Sequence, residues 1–313
     1  MNVRRLGGII GVAIGVAGLV FVGLQIVRDR DDFADALRGA DLAWLAVAVL
    51  AGLCSMATIG LNWASIIHHL GGAAPWRRAL AWFFVGQLGK YVPGGIWPIV
   101  GQAELATRAR VARSIAYTAT ATSMLATLLG AATVAAASGL ASPEDRAVIA
   151  ALAGLAVLVV LGALAVPAVR SVAQGALSRV AGGRDIAVPE AGWLAVQTLR
   201  HVPVWLLYSA MNVIVVAALG GDIDAGLAAD LAFVTCVSWI AGFVIVGLPG
   251  GLGVREAVFV SMMTGPLGAG LAASVAVTSR VVTIVVDLGG AAGAPVIARA
   301  GQGAGGDPDR TGR

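Results

Sequence analysis

Leu248-Pro249-Gly250-Gly251-Leu252 interrupts an otherwise apolar part of the chain, and Val92-Pro93-Gly94-Gly95-Ile96 interrupts another about half a chain length earlier. Each break is followed by Gly-x-x-Glu, which ends at Glu256 in the later copy and at Glu104 in the earlier one. Proline cannot donate a backbone hydrogen bond and glycine weakens a helix, so each stretch should end one helix and start another. The recurrence predicts an internal two-fold repeat over about residues 42–141 and 198–298.

Polar residues downstream of the breaks recur at the same separation. Thr122-Ser123 returns as Thr278-Ser279, and Thr127 returns as Thr283. Broken helices in matching positions of two halves are typical of transporters whose substrate site lies between the repeats. The sequence leaves open whether the two repeats are parallel or inverted, because four crossings counted between the breaks would put both breaks on the same side.

Composition places the chain in a membrane. Hydrophobic residues make up 58% of the 313 residues and charged residues only 12%, whereas soluble domains carry about 25% charge. Several apolar stretches reach the roughly 20 residues needed to cross the hydrocarbon core. We therefore expect an all-α polytopic membrane protein with about seven to eight transmembrane helices and two re-entrant or broken helices. Residues 1–298 would form one membrane domain, and the polar residues 299–313 would be a disordered tail.

The apolar stretches give specific boundaries. We expect crossings at residues 6–27, 42–67, 114–140, 147–169, 193–219, 227–248 and 271–297. Residues 79–105 should be interrupted at Pro93-Gly94-Gly95 and again at Pro98, which predicts two half-helices in a re-entrant hairpin. The second broken segment is 249–267. Most basic loop residues, among them Arg77, Arg78 and Arg113, fall on the side of the N-terminus. The positive-inside rule then predicts a multi-pass protein of the bacterial inner membrane with its N-terminus in the cytoplasm.

The breaks and the buried charges are the candidate binding residues. A half-helix that starts at a break presents free N–H groups and a positive dipole, which suit a phosphate. Ionisable residues inside a bilayer are costly unless they are paired or hydrated, so they mark sites. The candidate substrate-binding set is Lys90, Gly94, Gly95, Glu104, Arg108, Gly250, Gly251, Arg255, Glu256, Arg280 and Asp287.

Each candidate has a structural alternative. The breaks could be kinks that pack helices closely, and Arg280 could form a buried ion pair with Asp287, two turns along the same helix face. Arg108 could be a topology charge only. Arg200 and His201 lie near a helix end, where snorkelling explains them as well as function does. Glu104 and Glu256 could balance arginines or carry protons.

Several classes of site are not supported. The single lysine, Lys90, is followed by Tyr91, so no P-loop is present. Three histidines make a protein metal site improbable. We expect no cofactor and no enzymatic activity, and the absence of a basic face with interleaved aromatic residues argues against nucleic acid as a partner.

Gly89-Lys90-Tyr91-Val92-Pro93-Gly94-Gly95 resembles the membrane region of the lysylphosphatidylglycerol synthase family, and so does the stretch from Gly247 to Glu256. The resemblance covers about residues 5–298. It implies two repeats with re-entrant helices around a central lipid-accessible cavity. Two-domain members flip an aminoacylated phospholipid with this region and synthesise it with a soluble C-terminal domain. The sequence ends at Arg313, so we expect the synthetase activity to be absent.

The resemblance and the residues together predict a lipid flippase without an ATPase of its own. Its substrate would be a membrane lipid with an anionic headgroup, either a phospholipid or a polyprenyl phosphate that carries a sugar. Energy would come from a gradient or from an ion, with Glu104, Glu256 or Asp287 as proton carriers. Two alternatives remain: a secondary transporter of a small anion, and a non-catalytic partner of a glycosyltransferase or another lipid-modifying enzyme.

Overall fold

The structure, a computed structural model, describes residues 20–24, 26–28, 30–92, 97–140, 144–180, 186–245 and 249–299. Within these ranges it contains helices and connecting turns and no strand, which confirms the all-α class. The earlier Pro93-Gly94-Gly95 break and the predicted tail beyond Arg299 lie outside the described residues.

After residues 20–24 and 26–28, the described part of the chain forms eleven further α-helices. They are α1 (Arg30–Arg38), α2 (Leu42–His69), α3 (Trp76–Gln87), α4 (Trp97–Arg108), α5 (Arg113–Gly139), α6 (Glu144–Ala165), α7 (Pro167–Val180), α8 (Ala191–Ala218), α9 (Ala225–Val244), α10 (Val254–Leu267) and α11 (Ala269–Arg299). Two short 3₁₀ turns, Leu88–Tyr91 and Pro249–Gly251, lie at the breaks.

Six of the described helices are long and apolar enough to cross a membrane. They are α2, α5, α6 from Arg146 onward, α8, α9 and α11. The first predicted crossing, residues 6–27, lies mostly outside the described residues, so the count of seven to eight stays a prediction. Helices α3 and α4 have 12 residues each, or about 18 Å at 1.5 Å per residue. Neither can cross about 30 Å of hydrocarbon alone.

Two predicted boundaries are wrong, and proline is the reason in both cases. The expected crossing at 147–169 ends at Ala165, because Pro167 starts the separate helix α7. Pro98 was expected to interrupt a helix, but it lies in the first turn of α4. Proline is tolerated there because a first-turn N–H has no partner within the helix.

Helices α2 and α8 form the central pair, and they run antiparallel. At one end of the bundle the N–H of Asp41, before α2, donates to the carbonyl of Ala218 at the end of α8 at 2.8 Å. At the other end His69, the last residue of α2, stacks on Trp193 at the start of α8 with 4.9 Å between ring centroids. Ser55 of α2 donates to the carbonyl of Val204 in the middle of the pair.

Around this pair, each helix that precedes a break packs on the long helix that follows the other break. The short helix α3 packs on α11, while α9, which precedes the second break, packs on α5. Likewise α4 packs on α5 and α10 packs on α11. The order of helix, 3₁₀ turn, short helix and long helix therefore occurs twice along the chain.

The two broken segments enter from opposite ends of the bundle. The start of α3 and the end of α4 lie at the end marked by His69, since His68 stacks on Trp76 and Val111, after α4, packs in one cluster with Ile67. The start of α9 and the end of α10 lie at the other end. There Arg146 of α6 forms an ion pair with Asp230 of α9 and donates to the carbonyl of Met262 in α10.

Candidate functional site

The 3₁₀ turn before the first break and the 3₁₀ turn in the second break lie side by side. The 3₁₀ turns Leu88–Tyr91 and Pro249–Gly251 contact each other, and a Cβ placed on Gly250 would lie 3.7 Å from the carbonyl oxygen of Lys90. Residues from sequence positions half a chain apart are thus brought to one place. Gly94 and Gly95 lie outside the described residues, so their predicted role stays a prediction.

A cavity of about 520 Å³ opens beside the two turns. Its lining comes from α2, α3, α4, α5, α8, α9 and α11 together with both turns and Arg255 of α10. Most of the lining is apolar or aromatic, for example Phe83, Trp205 and Trp239. Lys90 and Arg255 supply positive charge, and no Asp or Glu lies among the described residues that line this cavity.

Arg255 is the cation of the cavity lining that has no ion-pair partner among the described residues. Its Nη2 donates to the hydroxyl oxygen of Tyr208 at 2.7 Å, and its guanidinium lies 5.8 Å from the centre of the Tyr208 ring. The Tyr208 oxygen is in turn 3.1 Å from Oγ1 of Thr283. Among the described residues, no carboxylate lies within ion-pair distance of Arg255. A partly buried guanidinium that is held by neutral groups is available to an anion.

Lys90 is held by a carboxylate behind the cavity wall. Its Nζ lies 2.7 Å from Oδ2 of Asp287, and the hydroxyl of Tyr91 donates to the same carboxylate at 2.5 Å. The Asp287 side chain is 1% exposed, whereas that of Lys90 is 21% exposed. Lys90 therefore faces the cavity, while Asp287 lies behind it as the buried partner.

Arg280 joins the second break to α10. Its Nη1 donates to the carbonyl of Gly250 at 3.1 Å, and its Nε lies 3.7 Å from Oε1 of Glu256. The other carboxylate oxygen of Glu256 accepts the N–H of Gly253 at 2.7 Å, so Glu256 caps its own helix. Arg280 and Glu256 line a second cavity of about 40 Å³, which shares Tyr208, Arg255 and Thr283 with the larger one.

Glycine is required at the second break for two separate reasons. Gly250 has a φ of 60° and Gly251 a φ of 69°, a left-handed conformation that other residues adopt at a cost. A Cβ on Gly251 would also lie 2.7 Å from the carbonyl oxygen of Gly242 in α9. The break is therefore packed against α9 main chain to main chain, which places Arg255 beside Gly242.

Two candidates from the sequence lie away from this site. Glu104 forms an ion pair with Arg113 and accepts from the Tyr117 hydroxyl at 2.8 Å. Arg108 is exposed in the last turn of α4. Neither residue is among those that line the two cavities.

Arg200 and His201 also lie outside the cavity lining. Arg200 is exposed and donates to the Ser65 hydroxyl at 3.3 Å. His201 is fully buried against α5, where a Cβ on Gly130 would lie 3.0 Å from its Cβ.

Several residues that line the cavity or bind its charges were not among the sequence candidates. Tyr208 and Tyr91 bind the key charges, and Gln87, Gln102 and Trp239 line the wall. Tyr91 had a motif signal, because it lies in the stretch from Gly89 to Gly95. A single tyrosine or glutamine inside an apolar helix, such as Tyr208 or Gln102, gives no such signal, so only packing reveals it. Thr283 had a signal, because it is the repeat partner of Thr127 and both line the large cavity.

Comparison with known protein families gives one match. Residues 8–289 match the family described as the lysylphosphatidylglycerol synthase TM region. No curated protein matches the chain significantly. The family match covers both breaks and all of the cavity lining described above.

Proposed function

The chain belongs to the lysylphosphatidylglycerol synthase TM region family, and from this premise we propose that it moves an anionic lipid between the leaflets of the bacterial inner membrane without changing it chemically. The observation that carries the proposal is the large cavity with Lys90 and Arg255 in its wall and no carboxylate there within the described chain. Family membership supports a membrane lipid-related role, and the charge of the cavity supports an anionic headgroup.

The size of the cavity suits a headgroup and not a whole lipid. Small-molecule sites usually measure about 300–1,000 Å³, and the volume of about 520 Å³ falls in this range. The lining includes Val244, which is 62% exposed on the outside of the bundle. Acyl chains could therefore stay in the hydrocarbon while the headgroup enters beside α9.

The charge arrangement favours a phosphate in this cavity. Opposite charges a few ångströms apart attract far more strongly away from bulk water than in it. Arg255 can form two hydrogen bonds to one phosphate, while Lys90 can turn part of its ammonium from Asp287 toward the same group. The N-terminal end of α10 contributes less to phosphate binding, because Glu256 already accepts the N–H of Gly253 there.

The reciprocal contacts support an inverted two-fold arrangement. Helices α2 and α8 are antiparallel, and the α3–α4 and α9–α10 segments have their ends at opposite ends of the bundle. If α9–α10 enters and leaves on one face, three crossings separate the two breaks and not four. Alternating access between inverted repeats is then the mechanism we propose, with the site at their interface.

Reconstitution tests the proposal. Purified protein in liposomes should move a labelled anionic phospholipid between leaflets well above the protein-free rate. Arg255→Ala should lower that rate at least about tenfold, because the uncompensated cation is lost. Arg77→Ala is the matched control, since Arg77 is exposed at the start of α3 and outside the cavity lining.

Three outcomes would count against the proposal. Equal leaflet exchange with and without protein, across several anionic lipids, would end it. Uptake of a small water-soluble anion by the same liposomes, with no lipid movement, would favour the small-anion transporter. If cells that carry Arg255→Ala grow normally and the protein moves no lipid in liposomes, a role as the partner of a membrane enzyme would be favoured.

A further inference from the structure

The large cavity has two chemically different walls. Gln87, Gln102 and Ser123 lie on α3, α4 and α5, and Trp205, Trp239 and Phe243 lie on α8 and α9. The first wall offers amides and a hydroxyl, and the second offers aromatic faces. Both walls continue into the charged end of the cavity at Lys90 and Arg255.

The polar wall has unused hydrogen-bonding capacity. Within the described residues, the side chains of Gln87, Gln102 and Ser123 make no hydrogen bond to another group, although Gln102 is 6% exposed and Ser123 is 5% exposed. The neighbouring polar groups are already bound: Ser55 donates to the carbonyl of Val204, and Thr120 accepts from Trp63. Buried polar groups normally have partners, so Gln102 and Ser123 are arranged for a ligand or for water. Gln87 lies half-buried in the same lining.

The aromatic wall is an ordered cluster. Trp205 and Trp239 meet edge to face with 4.8 Å between ring centroids, and Trp239 stacks on Phe243 at 5.1 Å. Tyr208 follows at 5.9 Å from Trp205 and carries the Arg255 contact. Aromatic faces together with amide and hydroxyl groups in one cavity fit a molecule with an apolar C–H face and hydroxyl edges.

We propose that the headgroup is a phosphate ester of a neutral polyol, such as glycerol or a sugar. The phosphate lies against Lys90 and Arg255, and the hydroxyl groups lie against Gln87, Gln102 and Ser123. Gln87 is three residues before Lys90, so the polar wall begins one turn from the phosphate site. This inference rests on the proposed function, and it narrows the substrate class.

The same walls disfavour a cationic aminoacyl headgroup. The described lining contains no Asp or Glu, and the aromatic face nearest the charged end is already covered by Arg255, 5.8 Å from the Tyr208 ring centre. An added ammonium group would meet the guanidinium of Arg255, which has no ion-pair partner among the described residues. A neutral polyol avoids this repulsion and satisfies the free amides.

A matched lipid pair tests the inference. Phosphatidylglycerol and phosphatidylpropanol carry the same charge and similar volume, but only the first has free headgroup hydroxyls. Protein in liposomes should move phosphatidylglycerol at least about fivefold faster, since a site built for hydroxyls discriminates against ligands that lack them. Gln102→Met should remove this difference by slowing phosphatidylglycerol alone, and Ser123→Ala should reduce it.

Met124→Leu is the control, because Met124 lines the same cavity with an apolar side chain. It should leave the rate ratio unchanged. Competition between the two lipids for protein in detergent, read by native mass spectrometry, gives a second measurement that is independent of transport and should show the same preference.

The outcomes separate the two proposals. Equal rates and equal binding for the two lipids would overturn the polyol inference and leave lipid movement intact. Preference for aminoacylated phosphatidylglycerol over phosphatidylglycerol would also overturn it. Preferential binding of phosphatidylglycerol with no movement of any lipid would support the headgroup inference and overturn the transport proposal.

Discussion

At the scale of residues, the site depends on how two cations are held. Arg255 is held by a tyrosine hydroxyl, and Lys90 by a carboxylate that is almost completely buried. A buried carboxylate that loses its cation keeps its desolvation penalty, whereas a lysine beside a cavity can recover water. The two members of the Lys90–Asp287 pair should therefore respond differently to substitution.

Lys90→Met should destabilise the protein by about 3 kcal/mol or more, since the Tyr91 hydroxyl would be the one remaining partner of buried Asp287 within the described residues. Asp287→Leu should cost less, because Lys90 reaches the cavity. The double variant should be more stable than Lys90→Met alone, which is the signature of a coupled pair. The free energy of unfolding of all three variants can be measured in mixed micelles by tryptophan fluorescence. Additive losses would contradict the pair's energetic coupling.

At the scale of elements, glycine allows helices to approach where the charges must meet. Gly290 of α11 lies against the Phe84 ring of α3, and a Cβ there would be 2.2 Å from Cδ1 of Phe84. Asp287 is three residues before Gly290 on the same helix. The close α3–α11 contact therefore positions the turn after α3, so that Lys90 lies within ion-pair distance of Asp287. Membrane helices commonly use small residues in this way, because packing and not the hydrophobic effect holds them together.

Gly290→Ala should destabilise the protein by about 1–3 kcal/mol, because the rigid Phe84 ring must move. Gly289→Ala is the neighbouring control, since a Cβ at Gly289 meets nothing within 4 Å. It should be neutral or slightly stabilising. Thermal unfolding of both variants in detergent compares them directly. A Gly290→Ala midpoint equal to that of Gly289→Ala would show that the α3–α11 contact is not tight.

At the scale of the whole molecule, the two halves contribute different chemistry to one cavity. The half with α3, α4 and α5 supplies Lys90 and the amide wall, and the half with α8, α9 and α10 supplies Arg255 and the aromatic wall. The antiparallel α2–α8 pair contributes one helix from each half. An inverted arrangement follows if the two broken segments enter from opposite sides of the membrane.

Cysteine labelling tests this arrangement in cells. In a background with Cys54→Ser and Cys236→Ala, a membrane-impermeant maleimide should label Asp222→Cys and Gly265→Cys from outside the cell. Ala73→Cys and Ala109→Cys should react only after the membrane is opened, if the N-terminus is cytoplasmic. Labelling of Gly265→Cys and Ala109→Cys from the same side would rule out opposite entry of the two broken segments.

The sequence alone determined the class of the protein and the helix break at Pro249-Gly250-Gly251. Its apolar composition leaves too little charge for a soluble surface, and Pro249 and the adjacent glycines restrict the backbone wherever they occur. The sequence also predicted ionisable residues in or beside the bilayer, and of these Lys90, Arg255, Glu256, Arg280 and Asp287 are buried or partly buried. These are local properties, so they can be deduced without knowing which helices are neighbours.

Only the tertiary structure decided which charges pair and what surrounds them. Spacing on one helix suggested Arg280 with Asp287, but Asp287 binds Lys90 from the other half of the chain, and Arg280 binds the second break. The same packing left Glu104 at the surface with Arg113 while it buried Glu256. Sequence spacing describes neighbours on one helix, whereas pairing between helices depends on how closely their surfaces pack, and that is set by contacts such as Phe84 on Gly290 that no local pattern records.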